Sequence, residues 1–558
     1  MGLNVPGLIT LLGFYAVVLA TGIWASRRAK AKVTTGTVTE VTLLGGRTIG
    51  MAVGIFTMTA TWIGGGFILG VAETVYTPGK GLVWAMLPVQ CFVTFIIAGS
   101  VFTKPMRERS YVTVMDPFQI KYGKVVATLM IIPNIASDII YFGCVLLALG
   151  GTISSILNLP FVYSVVISAA VSIIYTLLGG FYSVAYTDVI QLVFIFAALW
   201  LLVPFVFVNP TPLDISITAF NHTYQPPWIG EIQTQDIGKW LDEFLVVSLG
   251  GLASQCLHQR ILSSSSVARA QVTCFAAAVM NVILGVPSIL IGAVAASTDW
   301  NQTDYGAPSP YDRGEAYGIL PICLQYLTPQ FVSVIGIAAV AAAVMSSADS
   351  CLISATSMFS SNIYKNIRKQ ASDREMQWVI RISIVVVGVV GTALPFLTNS
   401  IIGLLILWAD VGYCVIFPHL VCVVFCPFAN GYGGAMGYFL GILLRCLCGE
   451  PTIGLPAAIH FPGGETVDGV YIQRAPVRTV AMLVTLICVL FFSYIFEQLF
   501  HRDVLPKRWD ILKVSHATTP PPRLEQASSD TNGQMETMMS ASDTGHLERP
   551  QVEESTKL

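Results

Sequence analysis

About thirteen runs of roughly 20 apolar residues divide this chain, over residues 7–26, 49–69, 83–103, 125–149, 162–180, 188–208, 239–257, 272–296, 329–358, 377–397, 401–426, 431–448 and 477–499. A run of that length spans a bilayer as a helix. Lipid offers no partner to a backbone N–H or C=O, so the segment must satisfy them within itself. Only 11% of the residues are charged and 54% are hydrophobic, against about 25% charged in a soluble domain. The chain reads as an all-α polytopic membrane protein with about 13 transmembrane helices. No small-residue cleavage site follows the first run, so it reads as a span and not a removed signal peptide.

Within the second run lies Thr59-Ala-Thr-Trp-Ile-Gly-Gly-Gly-Phe-Ile-Leu-Gly-Val-Ala-Glu73. Three consecutive glycines, Gly64 to Gly66, interrupt the helix there. An unwound backbone at membrane depth is tolerated where it lines a protein cavity, and broken helices build the midplane sites of secondary transporters. Trp62 places a π face just before the break. A small-residue packing face between helices fits the same residues.

Loop charge sets an orientation. Basic segments follow odd-numbered spans: Arg27-Arg28-Ala-Lys30-Ala-Lys32, Lys104-Pro-Met-Arg107-Glu-Arg109, Arg260 with Arg269, Tyr364-Lys365-Asn-Ile-Arg368-Lys369, and finally His501-Arg502 with Lys507-Arg508. Loops after even-numbered spans are poorer in Lys and Arg. Two of them carry glycosylation sequons, Asn221-His-Thr223 and Asn301-Gln-Thr303. Both signals place the N-terminus outside and the C-terminus in the cytoplasm. Residues 1–500 read as the transmembrane domain and 501–558 as a cytoplasmic tail. From about Ser515 that tail is rich in Ser, Thr, Pro and acids, the composition of disorder and of a candidate surface for trafficking partners. The 12 cysteines lack zinc-type spacing, and most lie in apolar runs as small buried hydrophobes.

Ionisable residues inside spans are costly and face cavities or partners. Here they are Glu73, Asp138, Asp188, Asp242, Asp349 and Asp410. Asp349 ends a small-residue stretch, Ala341-Ala-Ala-Val-Met-Ser-Ser-Ala-Asp-Ser350. The hydroxyls of Ser346 and Ser347, with carbonyls from the broken stretch, would suit a monovalent hard cation, since such ions take oxygen ligands. Alternatively the serines bond back to their own helix, and Asp349 is tied to a neighbouring helix end.

Between the fifth and sixth spans stands Gly179-Gly-Phe-Tyr-Ser-Val-Ala-Tyr-Thr-Asp-Val-Ile-Gln191. Its form, Gly-Gly-x-x-x-Val-x-Tyr-Thr-Asp-x-x-Gln, resembles the signature of the sodium/solute symporter family. Within that family the chain is most similar to the high-affinity choline transporters, from about Gly46 to about Ser493. The segments that carry this likeness are Phe56-Thr-Met-Thr-Ala-Thr-Trp62, Lys104-Pro-Met-Arg107, Val114-Met-Asp-Pro-Phe-Gln119, Leu262-Ser-Ser-Ser-Ser266, Ile291-Gly-Ala293, Ala296-Ser-Thr-Asp-Trp-Asn-Gln-Thr303 and Ala343-Val-Met-Ser-Ser-Ala-Asp-Ser350.

The resemblance implies a LeuT-type core of two inverted repeats, about 49–208 and 239–426, with breaks in the second span and, at Gly250-Gly251, in the seventh. It implies a sodium site of Ala60 and Ile63 carbonyls with Ser346 and Ser347 hydroxyls, and a role for Asp188 in sodium coupling and in closing the inner side. Choline transporters hold their quaternary ammonium in aromatic faces. Trp62 matches one, Tyr141 stands at a tryptophan position, and Trp408 lies one turn beyond Leu405. Cys91 stands where the family has tyrosine, and Ser254 and Leu405 where it has tryptophan. Each face contributes about 0.5–2 kcal/mol, so three lost faces come to roughly 1.5–6 kcal/mol, enough to remove micromolar affinity. The pocket therefore points to an altered substrate or a lower affinity.

The resulting expectation is sodium-coupled symport of choline or a related small organic cation by alternating access at the plasma membrane. Sodium is co-transported and chloride is a candidate second ion. The alternatives are a sodium symporter for a less cationic solute, and a transporter-shaped sensor or uncoupled channel. No nucleophile–base constellation, metalloprotease motif or phosphate loop is present, and His258 and His460 stand alone, so an enzyme is not expected.

Overall fold

The computed structural model describes residues 5–32, 38–157, 159–398, 400–467 and 470–512. The expectations about the tail beyond 512 lie outside the described residues. The described chain is mostly helical, and its main helices are α1 Val5–Lys32, α2 Met51–Trp62, α3 Gly65–Tyr76, α4 Leu87–Ile97, α5 Asp116–Leu157, α6 Phe161–Leu177, α7 Gly180–Val208, α8 Ile237–Gly250 and α9 Gln255–Ser263. Then follow α10 Val267–Ala296, α11 Gln330–Met358, α12 Asp373–Gly391, α13 Ile401–Val411, α14 Phe417–Phe425, α15 Gly431–Leu447 and α16 Val477–His501. A small antiparallel hairpin, β1 Glu465–Val467 with β2 Val470–Ile472, lies between α15 and α16.

Every apolar run coincides with helix, but the count of thirteen spans does not follow from helix length. Among the described residues nine helices are long and apolar enough to cross a membrane, and the bent pair α2–α3 brings the number to ten. The other three runs hold shorter pieces: α6, α15, and the split pair α8 and α9. The shortness of α8 and α9 has a local cause. After Gly250 the chain tightens through Gly251–Ala253 and then turns extended at Ser254 (φ −66°, ψ 126°).

The helix starting at Gln330 is the centre of the bundle. Its apolar window is 83% buried within the protein, against 28% for α16, which faces lipid. Small residues from Ala338 to Ala343 let α5, α6 and α7 approach α11 closely. The kink between α6 and α7 falls at Gly180, whose φ of 69° suits glycine.

The two ends of the α2–α3 span carry different loops. At the α3 end, Gln225 Nε2 donates to Tyr76 O and Leu82 N to Trp228 O. The same loop joins the one carrying Asn301: Leu213 N donates to Ser297 O, and the Thr218 and Ser297 hydroxyls lie 2.6 Å apart. Asn221 and Asn301 are both exposed on this end. At the α2 end, Arg47 donates to Leu262 O, Ser110 O and Tyr111 O, and Arg107 to Ser264 O. Sequons and basic segments thus segregate to opposite ends of one span, as their pattern in the sequence requires.

A close seam joins α8 to α13. A Cβ on Gly250 would stand 2.3 Å from Ala409 O, a backbone atom that cannot swing aside. Gly250→Ala should therefore cost about 1–3 kcal/mol through overpacking, read as a fall in the unfolding temperature of the detergent-solubilised protein. Gly50→Ala, with open space around its Cβ, should leave that temperature unchanged. Equal tolerance of both substitutions would contradict the seam.

Candidate functional site

The break between α2 and α3 turns the chain by 48°. Ile63 N closes the last ladder bond onto Thr59 O. The carbonyls that follow lie past the end of the ladder and need partners from elsewhere. Ile63 (φ −85°, ψ 62°) and Gly64 (φ −94°, ψ −176°) carry the turn.

The partners come from α11 and α5. Ser347 Oγ donates to Thr61 O at 3.1 Å, and Tyr141 OH donates to the same oxygen at 3.5 Å. The approach is close enough that a Cβ on Gly64 would lie 2.0 Å from Ser347 Oγ. Ser346, on the next face of α11, donates to Asp188 Oδ1 at 2.5 Å. Neither hydroxyl bonds back to its own helix in the manner of Ser350, which donates to Ser346 O. Ala60, Ile63, Ser346, Ser347 and Asp188 are all fully buried. Together they present hydroxyl, carbonyl and carboxylate oxygens in an apolar interior, a donor set suited to a hard cation.

Asp188 has further partners that the sequence did not reveal. Thr57 donates its hydroxyl to Oδ2, and Arg260 Nη2 reaches the same oxygen at 3.3 Å. Arg260 also donates to Ser350 Oγ at 2.7 Å, Thr57 O at 3.0 Å and Cys256 O at 3.2 Å. Taking Arg260 as an inner-loop charge was wrong, since its side chain is 1% exposed. It follows the second break by only a few residues, and α9 carries it into the core. The available signal was the polar run His258-Gln259-Arg260 directly behind an interrupted helix.

The second break meets the first. A Cβ on Gly251 would lie 2.5 Å from Trp62 Cη2, so the indole rests on the α8–α9 break and only glycine leaves room for it. Trp62 also packs edge-on to Phe95 (5.1 Å between centroids) and Trp408 (5.7 Å), while Trp408 stacks on Tyr141 (4.8 Å, 27°). Trp408 is 6% exposed and points into the bundle. Trp62, Tyr141 and Trp408 thus come together, and Phe95 adds a ring that the sequence reading passed over. Leu405 and Cys144 pack near Gly66 at the edge of this cluster.

The other membrane acids serve different joints. Asp349 accepts from Thr176 of α6 at 2.7 Å, matching the reading in which it ties α11 to a neighbouring helix. Ser354 donates to Asp138, and Glu73 accepts from Ser400 Oγ and Ile402 N at the start of α13. Asp242 caps the start of α16, taking Arg478 N, Thr479 N and the Thr479 hydroxyl. Asp410 pairs with Arg445 and Arg478. Glu450, in the loop beyond α15, joins the same arginines. Burial opposes its charge, but Arg478 and Arg445 prevail and its pKa falls below the ordinary value.

Two interrupted helices crossing at their breaks, with oxygen donors on one side and stacked rings on the other, define a secondary transporter. The model of the sodium:solute symporter family matches residues 43–441, and the chain belongs to that family. It is a multi-pass membrane transporter. Relatives named high affinity choline transporter 1 include the human protein, 47% identical over 92% of this chain and 88% of its own, and that of Caenorhabditis elegans, 42% identical over 91% and 88%. A solved Na⁺-coupled sialic acid symporter in a substrate-bound outward-open state shares the fold at a TM-score of 0.69 and 18% identity, covering 88% of this chain and 98% of that one. The LeuT-type fold expected from the sequence is thereby established.

Removing one member of a buried ion pair leaves the other uncompensated, at about 3–5 kcal/mol. Arg260→Gln should lower the unfolding temperature markedly. Arg269→Gln, on the exposed α10 start, should stay within about 0.5 kcal/mol of the parent. A larger loss from Arg269→Gln would refute the buried pairing of Arg260.

Proposed function

We propose that this protein is a sodium-coupled symporter of choline or a closely related small quaternary ammonium ion, working by alternating access of the repeats 49–208 and 239–426. The observation that carries the reading is the ring cluster seated where the two broken helices cross, beside the oxygen donors of α11. The choline transporters to which the chain is similar supply the substrate class. A quaternary ammonium has no N–H to donate and is held by π faces. Trp62, Tyr141 and Trp408 are assigned to the cation, and Phe95 completes their wall. Trp408 and Phe95 offset part of the aromatic area lost at Cys91, Ser254 and Leu405.

Sodium, the co-transported ion, takes the carbonyls of Ala60 and Ile63 and the hydroxyls of Ser346 and Ser347. Asp188 supports it through Ser346. A cation between the serines draws both hydroxyl oxygens towards itself and so competes with the bonds to Thr61 O and Asp188. Ion binding and the joint between α2 and α11 are coupled through those two hydroxyls. The protein resides in the plasma membrane with its N-terminus outside, an orientation supported by the segregation of sequons from basic loops.

Labelled-choline uptake in cells, with and without sodium and with chloride varied independently, tests this directly. Ser346→Ala and Ser347→Ala should raise the sodium concentration for half-maximal uptake. Trp62→Ala should abolish uptake, and Trp62→Phe should retain part of it because a π face remains. Unchanged sodium dependence in both serine variants at normal surface expression would remove the sodium assignment. Micromolar choline uptake that survives Trp62→Ala would remove the aromatic one. Binding without flux would favour a sensor.

The orientation has its own test. Asn301 stands on an exposed loop, and Asn301→Gln should speed migration on a denaturing gel, as glycosidase treatment of the parent should. No shift from either Asn301→Gln or Asn221→Gln would count against an outside location of both loops.

A further inference from the structure

Around the start of α16 the buried acids among the described residues all have partners. Asp242 is capped by the start of α16, and Asp410 and Glu450 are paired with Arg445 and Arg478. Glu243, adjacent to Asp242 on α8, is half-buried, and its carboxylate has no hydrogen bond or ion pair among the described residues. Its backbone oxygen, by contrast, is fixed by Gln90 Nε2 at 2.7 Å, so the position is held while the charge is free.

Glu243 stands where two hollows adjoin. One is a cavity of about 630 Å³ bounded by Glu243, Ile406, Glu450, Tyr471 and Arg478. The other is a narrower cleft walled by Trp84, Gln90, Glu243, Val247 and Ile406. One layer of side chains separates the cleft from the ring cluster: Val247, on the cleft wall, accepts at its carbonyl from Thr94, whose methyl group lies beside Gly251 under the Trp62 indole. The half-buried Trp84 ring is held by Nε1 donating to Glu231 O, and the Lys239 ammonium stands over that ring at 6.0 Å. A positive charge therefore already occupies this π face. Lys80 also lines the cleft, Lys239 lines the larger hollow, and Glu243 is the one acid among the described residues on the cleft wall and borders both.

We propose that Glu243 and the face of Trp84 form a second, outer site for an organic ammonium ion, which displaces Lys239 from Trp84 on its way to the inner rings. The proposal rests on the organic-cation reading given above. The carboxylate supplies long-range attraction, and the ring supplies short-range contact that needs no N–H donor. Lys239 is a tethered competitor, free to swing towards solvent when the ligand arrives.

The test is labelled-choline uptake by full-length protein in cells, with surface expression measured for each variant. Glu243→Gln should raise the half-saturating choline concentration about three- to tenfold, at the low end of what a steering charge provides, and Glu243→Lys should raise it further. Glu243→Asp should stay near the parent. Trp84→Ala should act in the same direction as Glu243→Gln, with Trp84→Phe milder. Lys239→Gln should move the other way and lower the half-saturating concentration, a result that a merely structural role for this corner does not produce. Added salt at constant sodium should narrow the gap between parent and Glu243→Gln, because screening weakens an exposed charge. An unchanged half-saturating concentration in Glu243→Gln and Trp84→Ala, with normal parental uptake, would overturn the outer site alone. A shift confined to sodium dependence would overturn it too, by giving Glu243 to the other ion. No sodium-dependent choline uptake by the parent would instead overturn the organic-cation reading and this site with it.

Discussion

A helix broken inside a membrane leaves carbonyls that neither lipid nor the helix itself satisfies, and the centre of this protein is arranged around that debt. After Thr59 the α2 ladder stops, and Thr61 O is met by Ser347 and Tyr141. Those two side chains come from different helices, α11 and α5, so the break fixes the spacing of both. The small residues on α11 are a consequence, since a hydroxyl reaches a neighbouring backbone only if the two helices touch. The second break obeys the same rule with other chemistry. His258 Nε2 lies 2.7 Å from Leu252 O, and the Trp62 indole fills the space above Gly251. The first interruption is stabilised from other helices, the second by His258 of its own span and by Trp62 of the first break, and that last contact holds the two breaks together.

The charges follow a related division. At the crossing, one arginine and one carboxylate are buried against each other, and the remaining capacity of both is taken by Thr57, Ser346, Ser350 and backbone oxygens. A pair desolvated to that degree contributes little net stability but is costly to break. It locks α2, α7, α9 and α11 into one arrangement without being the source of the fold's stability. Near the ends of α13, α15 and α16, Asp410, Arg445, Glu450 and Arg478 form a second network around the start of α16. The bundle thus has two ionic joints, one at the crossing of the breaks and one beside the hollow at the start of α16.

Much of this was legible in the sequence, for reasons that separate cleanly. Apolar run length located every helix long enough to span because lipid imposes it, yet it overstated how many are full spans. A broken span such as α8–α9 has the same apolar content as a continuous one and half the helix in each piece. Gly64 to Gly66 pointed to the first break, while a packing face between helices fitted the same three glycines until the family likeness was added. Gly250-Gly251 was weaker, two glycines among many, and needed the family likeness. Ser346 and Ser347 were found by their hydroxyls, but which oxygen each one meets depends on helix rotation, which no single-sequence pattern encodes. Arg260 was misplaced because charge at the end of an apolar run ordinarily marks the membrane surface. Here the helix restarts after its break and carries the charge inward. Phe95 was hidden by the converse problem: an aromatic in an apolar run faces lipid or core equally well until its neighbours are known.

The geometry also bears on how two different cations act on one joint. The proposed sodium ligands and the proposed substrate rings share the segment from Ala60 to Ile63. Trp62 projects from it towards Gly251 and Trp408, while the Thr61 carbonyl just before it meets Ser347 of α11. A rotation of α2 about its axis that brings the carbonyls to a sodium ion between Ser346 and Ser347 also turns the indole on the second break. Neither ligand needs to touch the other for each to favour the same setting of this one turn. Coupling of that kind is reciprocal by necessity, and its carrier is an element with identified neighbours on both sides. The turn of backbone ending in Gly64 is short and buried, and its carbonyls from Ala60 to Ile63 lie past the last ladder bond of α2, that of Ile63 N to Thr59 O. It is therefore the place where a small differential affinity most readily becomes a change in how the two repeats meet.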